Sequence, residues 1–273
     1  SKMHTNIICT ISPINVFKSE LDHIGINYHS LLEKPNFRFT LILPLIMYKL
    51  NLLVKKFNPD IIHSHLRNDS IVCSFITKTP VVRTIQNSIP FQSIHSKGSK
   101  FSFSNKLLIK LEKLSLLKNN FSIVSCNKFS FDLINSFLKK YNKSCLTIIN
   151  NAIDLRRIGE IEINNFLEEK IIIISIGTLY KTKNQTMAIV AIKKLLDQGV
   201  NAELWLVGEG VDGKKLKDVA NNLNVSNNIK FLGRVKKVQD YLKRATFYWS
   251  TSRSEGFSIA NLEAMALGVP IIA

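Results

Sequence analysis

The 273-residue chain contains little that would staple it, span a membrane or hold a metal. Its four cysteines, Cys9, Cys73, Cys126 and Cys145, are scattered and form no C-x-x-C pair. They read as reduced, buried thiols of a cytosolic protein. No apolar run is long enough for a transmembrane helix. The best, residues 39–48, contains Pro44 and ends at Lys49. No signal peptide is recognisable, so the expected location is cytoplasmic. There is no short internal repeat and no metal-binding D-x-D pair. A nucleic-acid motif is also missing, and the basic residues are not woven through an aromatic platform. Nucleic acid is therefore not an expected partner.

Acidic residues are scarce as well, 20 against 37 Lys and Arg, for a net charge of +17. Residues 1–156 hold 21 basic and 8 acidic residues, a net +13, whereas residues 157–273 hold 16 and 12, a net +4. The basic half points to anionic lipid, a pyrophosphate-linked acceptor or nucleic acid. The hydrophobic fraction, 45%, is ordinary for a globular protein, and the length suffices for two modest domains.

Along the chain, apolar strand-like runs alternate with helical periodicity. Strands are expected at residues 6–12, 26–31, 59–65, 80–85, 121–125 and 146–150, and helices at 39–57, 105–118 and 128–141, with Pro44 placed to break the first part of the first helix. Residues 151–169 lack a clear period and read as a linker holding a short helix within 160–169. The alternation then resumes, with strands at 171–176, 202–207, 229–232 and 246–251 and helices at 186–197, 214–223 and 238–244. This pattern predicts parallel sheets covered on both faces, in an N-terminal domain over 1–153 and a C-terminal domain over 154–273.

The chemistry concentrates in residues 252–270. A strand runs into a turn at Gly256, and Ser258 is a fair N-cap for a helix whose apolar face is Ile259, Leu262 and Met265 or Ala266. Glu255 precedes this helix and Glu263 lies inside it, with seven residues between them. A helix start attracts phosphate, while carboxylates accept hydrogen bonds from hydroxyls. The combination fits a ligand with phosphate at its centre and hydroxyls on both sides, as in a nucleotide-sugar. Two solvated glutamates on a surface helix are the bland alternative. Three more turns follow strand ends: Gly177 to Asn184, Gly208-Glu209-Gly210, and Gly233. Lys183 stands just before a helix, where an ammonium can join helix N–H groups around a phosphate. In the first domain His63 and His65 fall on one face of a strand end. No third ligand with recognisable spacing accompanies them, so no metal site is expected.

The terminal stretch, with E-G-F before the helix and L-E-A-M-A-x-G-x-P within and after it, resembles the E-x7-E motif of retaining glycosyltransferases of family 4. The resemblance extends over essentially the whole chain, strongest after residue 170. It implies an α/β, GT-B architecture of two Rossmann-like domains with parallel sheets. Glu255 would face the donor sugar hydroxyls and Glu263 the ribose. The backbone at Gly256, Phe257 and Ser258 would face the diphosphate and sugar. Gly177, Thr178, Lys183, Asn184, Gly208, Glu209 and Gly233 would complete the donor site, the last near the base. His65 matches the second histidine of the family's H-x-H and would face the donor sugar, so Glu255, His65 and Lys183 are the expected catalytic residues. Thr178 stands where the family commonly has arginine, so either Lys181 or Arg253 would substitute for that cation or the leaving group would be less well stabilised. Gln86 replaces a histidine, and Ala152 a glycine in the hinge motif Asn151 to Asp154.

The implied reaction moves a sugar from a nucleotide-diphosphate sugar, with UDP-sugar as the expected donor, to a saccharide or polyprenyl-linked acceptor in surface polysaccharide or lipopolysaccharide assembly. It retains the anomeric configuration and requires no metal or other cofactor. Domain closure would exclude water. The first domain, including the lysine-bearing helix at 105–118, would offer a peripheral contact to the inner face of the membrane. The bland view of that helix is a solvated lysine face. Alternatives are a nucleotide-sugar epimerase of the same fold, a basic nucleic-acid-binding protein, or a chain inactive as it stands. The last follows because the family carries a strand, a Gly-rich loop and a helix ahead of Asn6 and further elements after Ala273. The chain then reads as an internal fragment, with both domains incomplete.

Overall fold

The structure is a computed structural model describing residues 6–11, 18–33, 39–65, 67–76, 78–86, 103–118, 120–143, 145–158, 170–253 and 255–273. It has two compact units, Ser1–Asn150 and Asn151–Ala273. Both are α/β with parallel sheets, the class the alternation predicts.

The first unit contains β1 (Ile7–Thr10), α1 (Lys18–His23), β2 (Asn27–Ser30), α2 (Phe39–Phe57), β3 (Ile62–Ser64) and α3 (Arg67–Ile76). It continues with β4 (Val81–Ile85), α4 (Phe103–Leu116), β5 (Phe121–Ser125), α5 (Lys128–Lys139) and β6 (Leu146–Ile148). Strands β3-β4-β5-β6 form one parallel sheet and β1-β2 a separate parallel pair. Among the described residues β1 pairs only with β2, and β3 only with β4. An apolar cavity of about 390 Å³ lies between β1 and β3, lined by Ile7, Cys9, Ile11, Leu53, Ile62 and Val72 among others.

Helix α2 runs unbroken through Pro44, contrary to the expected break. Pro44 is exposed, so the carbonyl it leaves unmatched lies on the outer side of the helix. Helix α3 escapes the periodicity argument because serines occupy its core positions. Ser70 and Ser74 are buried, and their hydroxyls are satisfied locally, Ser74 donating to the carbonyl of Ile71 at 2.8 Å and Ser70 meeting Ser64 at 3.1 Å. A buried ion pair, Arg83 to Glu112 at 2.6 Å, joins β4 to α4. Of the four cysteines, all free, Cys73 and Cys126 are buried and Cys145 is half-buried. Cys9 is exposed, which corrects the uniform expectation of buried thiols; among the described residues its strand pairs only with β2.

The second unit contains β7 (Ile171–Ile176), α6 (Gln185–Asp197), β8 (Ala202–Val207), α7 (Gly213–Asn222), β9 (Ile229–Gly233), α8 (Gln239–Leu242), β10 (Phe247–Trp249), α9 (Ile259–Ala266) and β11 (Ile271–Ile272). A 3-10 turn at Leu155–Arg157 precedes them, and the short helix expected within 160–169 lies outside the described residues. The sheet order is β11-β10-β7-β8-β9, all parallel. Strand β8 is buried on both faces, with Leu204 and Leu206 in one core and Trp205 and Val207 in the other.

Helix α9 corrects one expectation. Ile259 and Met265 are 52% and 66% exposed, whereas Ala264 and Leu267 are buried and Ala260 and Ala266 pack beside them. The inward face is made of small residues, which let the helix sit close to the sheet.

Candidate functional site

In the second unit the chain proceeds β7, β8, β9 to one side and then returns to place β10 on the other side of β7. The strand order therefore reverses between β7 and β10, and it is outside the carboxyl edge at such a switch point that open parallel sheets bind ligands in a crevice. The loops at that edge are those singled out by sequence: residues 177–184 after β7 and residues 250–258 after β10. The turn at 208–210 follows β8 next door.

Close backbone approach builds the β7–β8 side. A Cβ on Gly208, whose φ is +132°, would lie 2.2 Å from the carbonyl oxygen of Gly177, and one on Gly210 would lie 2.2 Å from that of Leu179. Neither side chain could be accommodated without moving backbone. Leu179 N–H donates to the Glu209 carbonyl at 3.0 Å, and Gly208 N–H to that of Gly233 at 2.7 Å. The Glu209 carboxylate lies against Gly233, 3.6 Å from where its Cβ would be.

On the β10 side, Thr251 Oγ1 donates to the Lys183 carbonyl at 2.9 Å, and Arg253 N–H to that of Thr182 at 2.9 Å. The Lys183 ammonium is paired with Glu255 Oε1, which also accepts from Ser252 Oγ at 2.7 Å. Both side chains of the pair are about 30% exposed, at 28% and 30%. The Lys183 stem runs over Gly177, so a Cβ there would lie 3.3 Å from Cε. Asn184 holds the left-handed conformation, φ 53°, that turns the loop into α6. Buried Gln185 donates to the Thr178 carbonyl at 3.1 Å, whereas Thr178 and Lys181 themselves are exposed.

Ser258 caps α9, its Oγ accepting Asn261 N–H at 3.4 Å. Glu263, one helical turn further on, accepts from Gln239 Nε2 at 3.1 Å. Burial pushes its carboxyl pKa up, and the Gln239 hydrogen bond offsets part of that rise. The two motif glutamates thus differ: Glu255 is charge-paired, and Glu263 has a neutral partner. Beneath them Tyr248 is buried, and its phenol is pushed up to about 12 by burial, with Ser258 bonding against that shift and Glu255 and Glu263 adding to it.

His65 lies in the first unit, immediately after β3. Its ring centroid is 4.2 Å from that of His63, and His63 Nε2 lies 2.8 Å from Thr84 Oγ1. Burial and then the His65 charge lower the His63 pKa. Among the described residues no group of three His, Cys, Asp or Glu is placed to hold a metal ion.

All other expected site residues fall at the carboxyl edge of the second unit's sheet. Three contributors went unrecognised in the sequence. Asn151 reaches the far end of the unit, Nδ2 donating to the Phe257 carbonyl at 2.8 Å, and so holds the motif turn. Gln239 and Tyr248 complete the surroundings of Glu263. Spacing does not reveal them: Asn151 and Gln239 lie outside the motif in sequence, and Tyr248 reads only as a buried strand residue.

Residues 157–273 match the family described as Glycosyl transferases group 1. The chain is 26% identical over 259 residues to N-acetyl-alpha-D-glucosaminyl L-malate synthase of Bacillus anthracis, covering 91% of this chain and 64% of that protein. It is 29% identical over 255 residues to the capsular polysaccharide biosynthesis glycosyltransferase CapH of Staphylococcus aureus, covering 90% and 65%. The chain therefore spans about two thirds of the length of these relatives, at 64% and 65%. Anabaena HepE, solved in complex with UDP and glucose, superposes with a TM-score of 0.72 at 19% identity, over 97% of this chain and 72% of that one.

Proposed function

We propose that this chain is part of a retaining glycosyltransferase that binds its nucleotide-sugar donor in the crevice between β7 and β10. The Lys183–Glu255 pair at the switch point is the observation that carries the reading. It sets a phosphate-seeking cation beside a hydroxyl-accepting carboxylate, with the starts of α6 and α9 adjoining. Lys183 takes the donor diphosphate together with N–H groups of the 256–258 turn, and stabilises the charge of the leaving nucleotide. Glu255 accepts from the sugar hydroxyls and Glu263 from the ribose. His65 serves the donor sugar, and no resident metal takes part. The match to group 1 glycosyltransferases supports a sugar-nucleotide donor, and the HepE complex with UDP supports uracil as its base. CapH supports a role in capsular polysaccharide biosynthesis, and the acceptor of this reading is a saccharide or a lipid-linked saccharide.

A thermal-shift titration with UDP, GDP, UDP-glucose and UDP-N-acetylglucosamine tests the donor site. UDP and UDP-sugars are expected to raise Tm, and Glu263→Ala to remove the gain. In a transfer assay on the full-length parent, Glu255→Ala is expected to abolish turnover while EDTA leaves it unchanged. Strict dependence on added Mg²⁺, or no nucleotide stabilisation in either chain, would overturn the reading.

A further inference from the structure

Helix α8 is short but well anchored. Val238 before it and Tyr241 and Leu242 within it enter the same core as Ala260 and Ala264 of α9. At its start, Gln239 Nε2 donates to Glu263 Oε1 at 3.1 Å. An ionised carboxylate only accepts, so the amide presents its N–H and not its carbonyl. The neutrality of this partner sets Glu263 apart. Among the described residues, buried Glu112 pairs with Arg83, buried Glu203 with Lys170 and Lys230, and Glu255 with Lys183. Glu263 is half-buried, and burial raises its pKa. Yet a chain with 37 Lys and Arg sets none of its described cations against it.

That choice suits a carboxylate kept for a ligand. A lysine or arginine would hold Glu263 more firmly, but it would draw off the charge that a ligand's hydroxyls need. An amide fixes the group through one N–H and leaves the remaining lone pairs of both oxygens to accept from elsewhere. A glutamate side chain free to turn would lose rotamer entropy when a ligand held it. With Gln239 in place, that freedom is already lost in the folded chain. Two neighbouring hydroxyls, as on a ribose, match the two oxygens of one oriented carboxylate, and hydrogen bonds to a charged acceptor are the strong kind.

We infer that Gln239 is a positioning residue, which holds Glu263 in the orientation that accepts both hydroxyls of a ribose and so makes the site prefer a ribonucleotide to its deoxy forms. The inference rests on the donor-site reading above. It is tested by calorimetric titration of the full chain, and of its Gln239→Leu and Gln239→Glu variants, with UDP and with 2′,3′-dideoxy-UDP. The native chain is expected to bind UDP at least about tenfold more tightly than the dideoxy form. Gln239→Leu removes the N–H, and Gln239→Glu sets a like charge against Glu263 at nearly unchanged volume. Each should cut that ratio to about threefold or less, chiefly by weakening UDP. A ratio that survives both variants overturns the inference and leaves the donor site standing. So does equal binding of the two nucleotides by the native chain. Loss of both nucleotides alike in the variants marks a merely structural role and also overturns it. No binding of either nucleotide to the native chain overturns the donor-site reading, and this inference with it.

Discussion

At the scale of single residues, environment separates groups that composition makes equivalent. His63 and His65 are two residues apart, and only His63 is hydrogen-bonded to Thr84. Its pKa lies below the usual histidine value, first through burial and second through His65. An NMR titration is expected to show His63 ionising at lower pH than an exposed histidine. His65→Ala should move that midpoint part of the way back up, because burial remains. A midpoint untouched by the substitution would mean the rings do not interact. Glu203 is the opposite case. Burial alone would raise its pKa, but hydrogen bonds from Lys170, Lys230 and the Trp205 indole outweigh that and bring it down to about 2. A folded-state pKa below the unfolded one means stability that is present above the unfolded value and lost as pH falls through the folded one. The second unit should thus lose about 1–3 kcal/mol between roughly pH 4.5 and pH 2. Chemical denaturation across that range should show a Glu203→Gln variant to be less stable at neutral pH and flatter with acid.

At the scale of elements, helix α9 shows what the sequence could and could not tell. Its limits, its Ser258 cap and its stop before Gly268 follow from cap chemistry, and the structure places them there. Its inward face does not follow, because large apolar residues outrank alanine in any periodicity count. Here Ile259 and Met265 are exposed, and the alanines are inside. Ala264→Leu is therefore expected to destabilise the second unit by about 1–3 kcal/mol through overpacking. Met265→Ser should change Tm little, although hydropathy alone ranks it the worse substitution. Differential scanning calorimetry of the two variants decides between the faces. The same limit hid α3, whose core serines satisfy their hydroxyls locally, Ser74 within the helix and Ser70 against Ser64 of β3, and interrupt the apolar period. The glutamates and glycines of the site were legible because turn chemistry and charge fix their spacing locally. Asn151, Gln239 and Tyr248 were not, since the first two meet the motif only in three dimensions and the third reads simply as a buried strand residue.

At the scale of the whole molecule, the two units differ in how completely their strands are paired. In the second unit β7 and β8 each have a parallel neighbour on both sides, and their side chains fill two cores. In the first unit β1 and β3 each have one described partner and border a cavity of about 390 Å³. Amide protection follows the free energy of local opening, which rises with buried contacts and paired backbone. Hydrogen exchange read by mass spectrometry should therefore be slowest in β7 and β8 and faster in β1 and β3. Added UDP should slow exchange at residues 177–184 and 255–263, where the donor is proposed to bind, and leave β1 and β3 unchanged. Ligand protection confined to the first unit would move the nucleotide site away from the β7–β10 crevice. Equal protection of β1 and β7 would show that the open edges of the first unit carry no energetic cost.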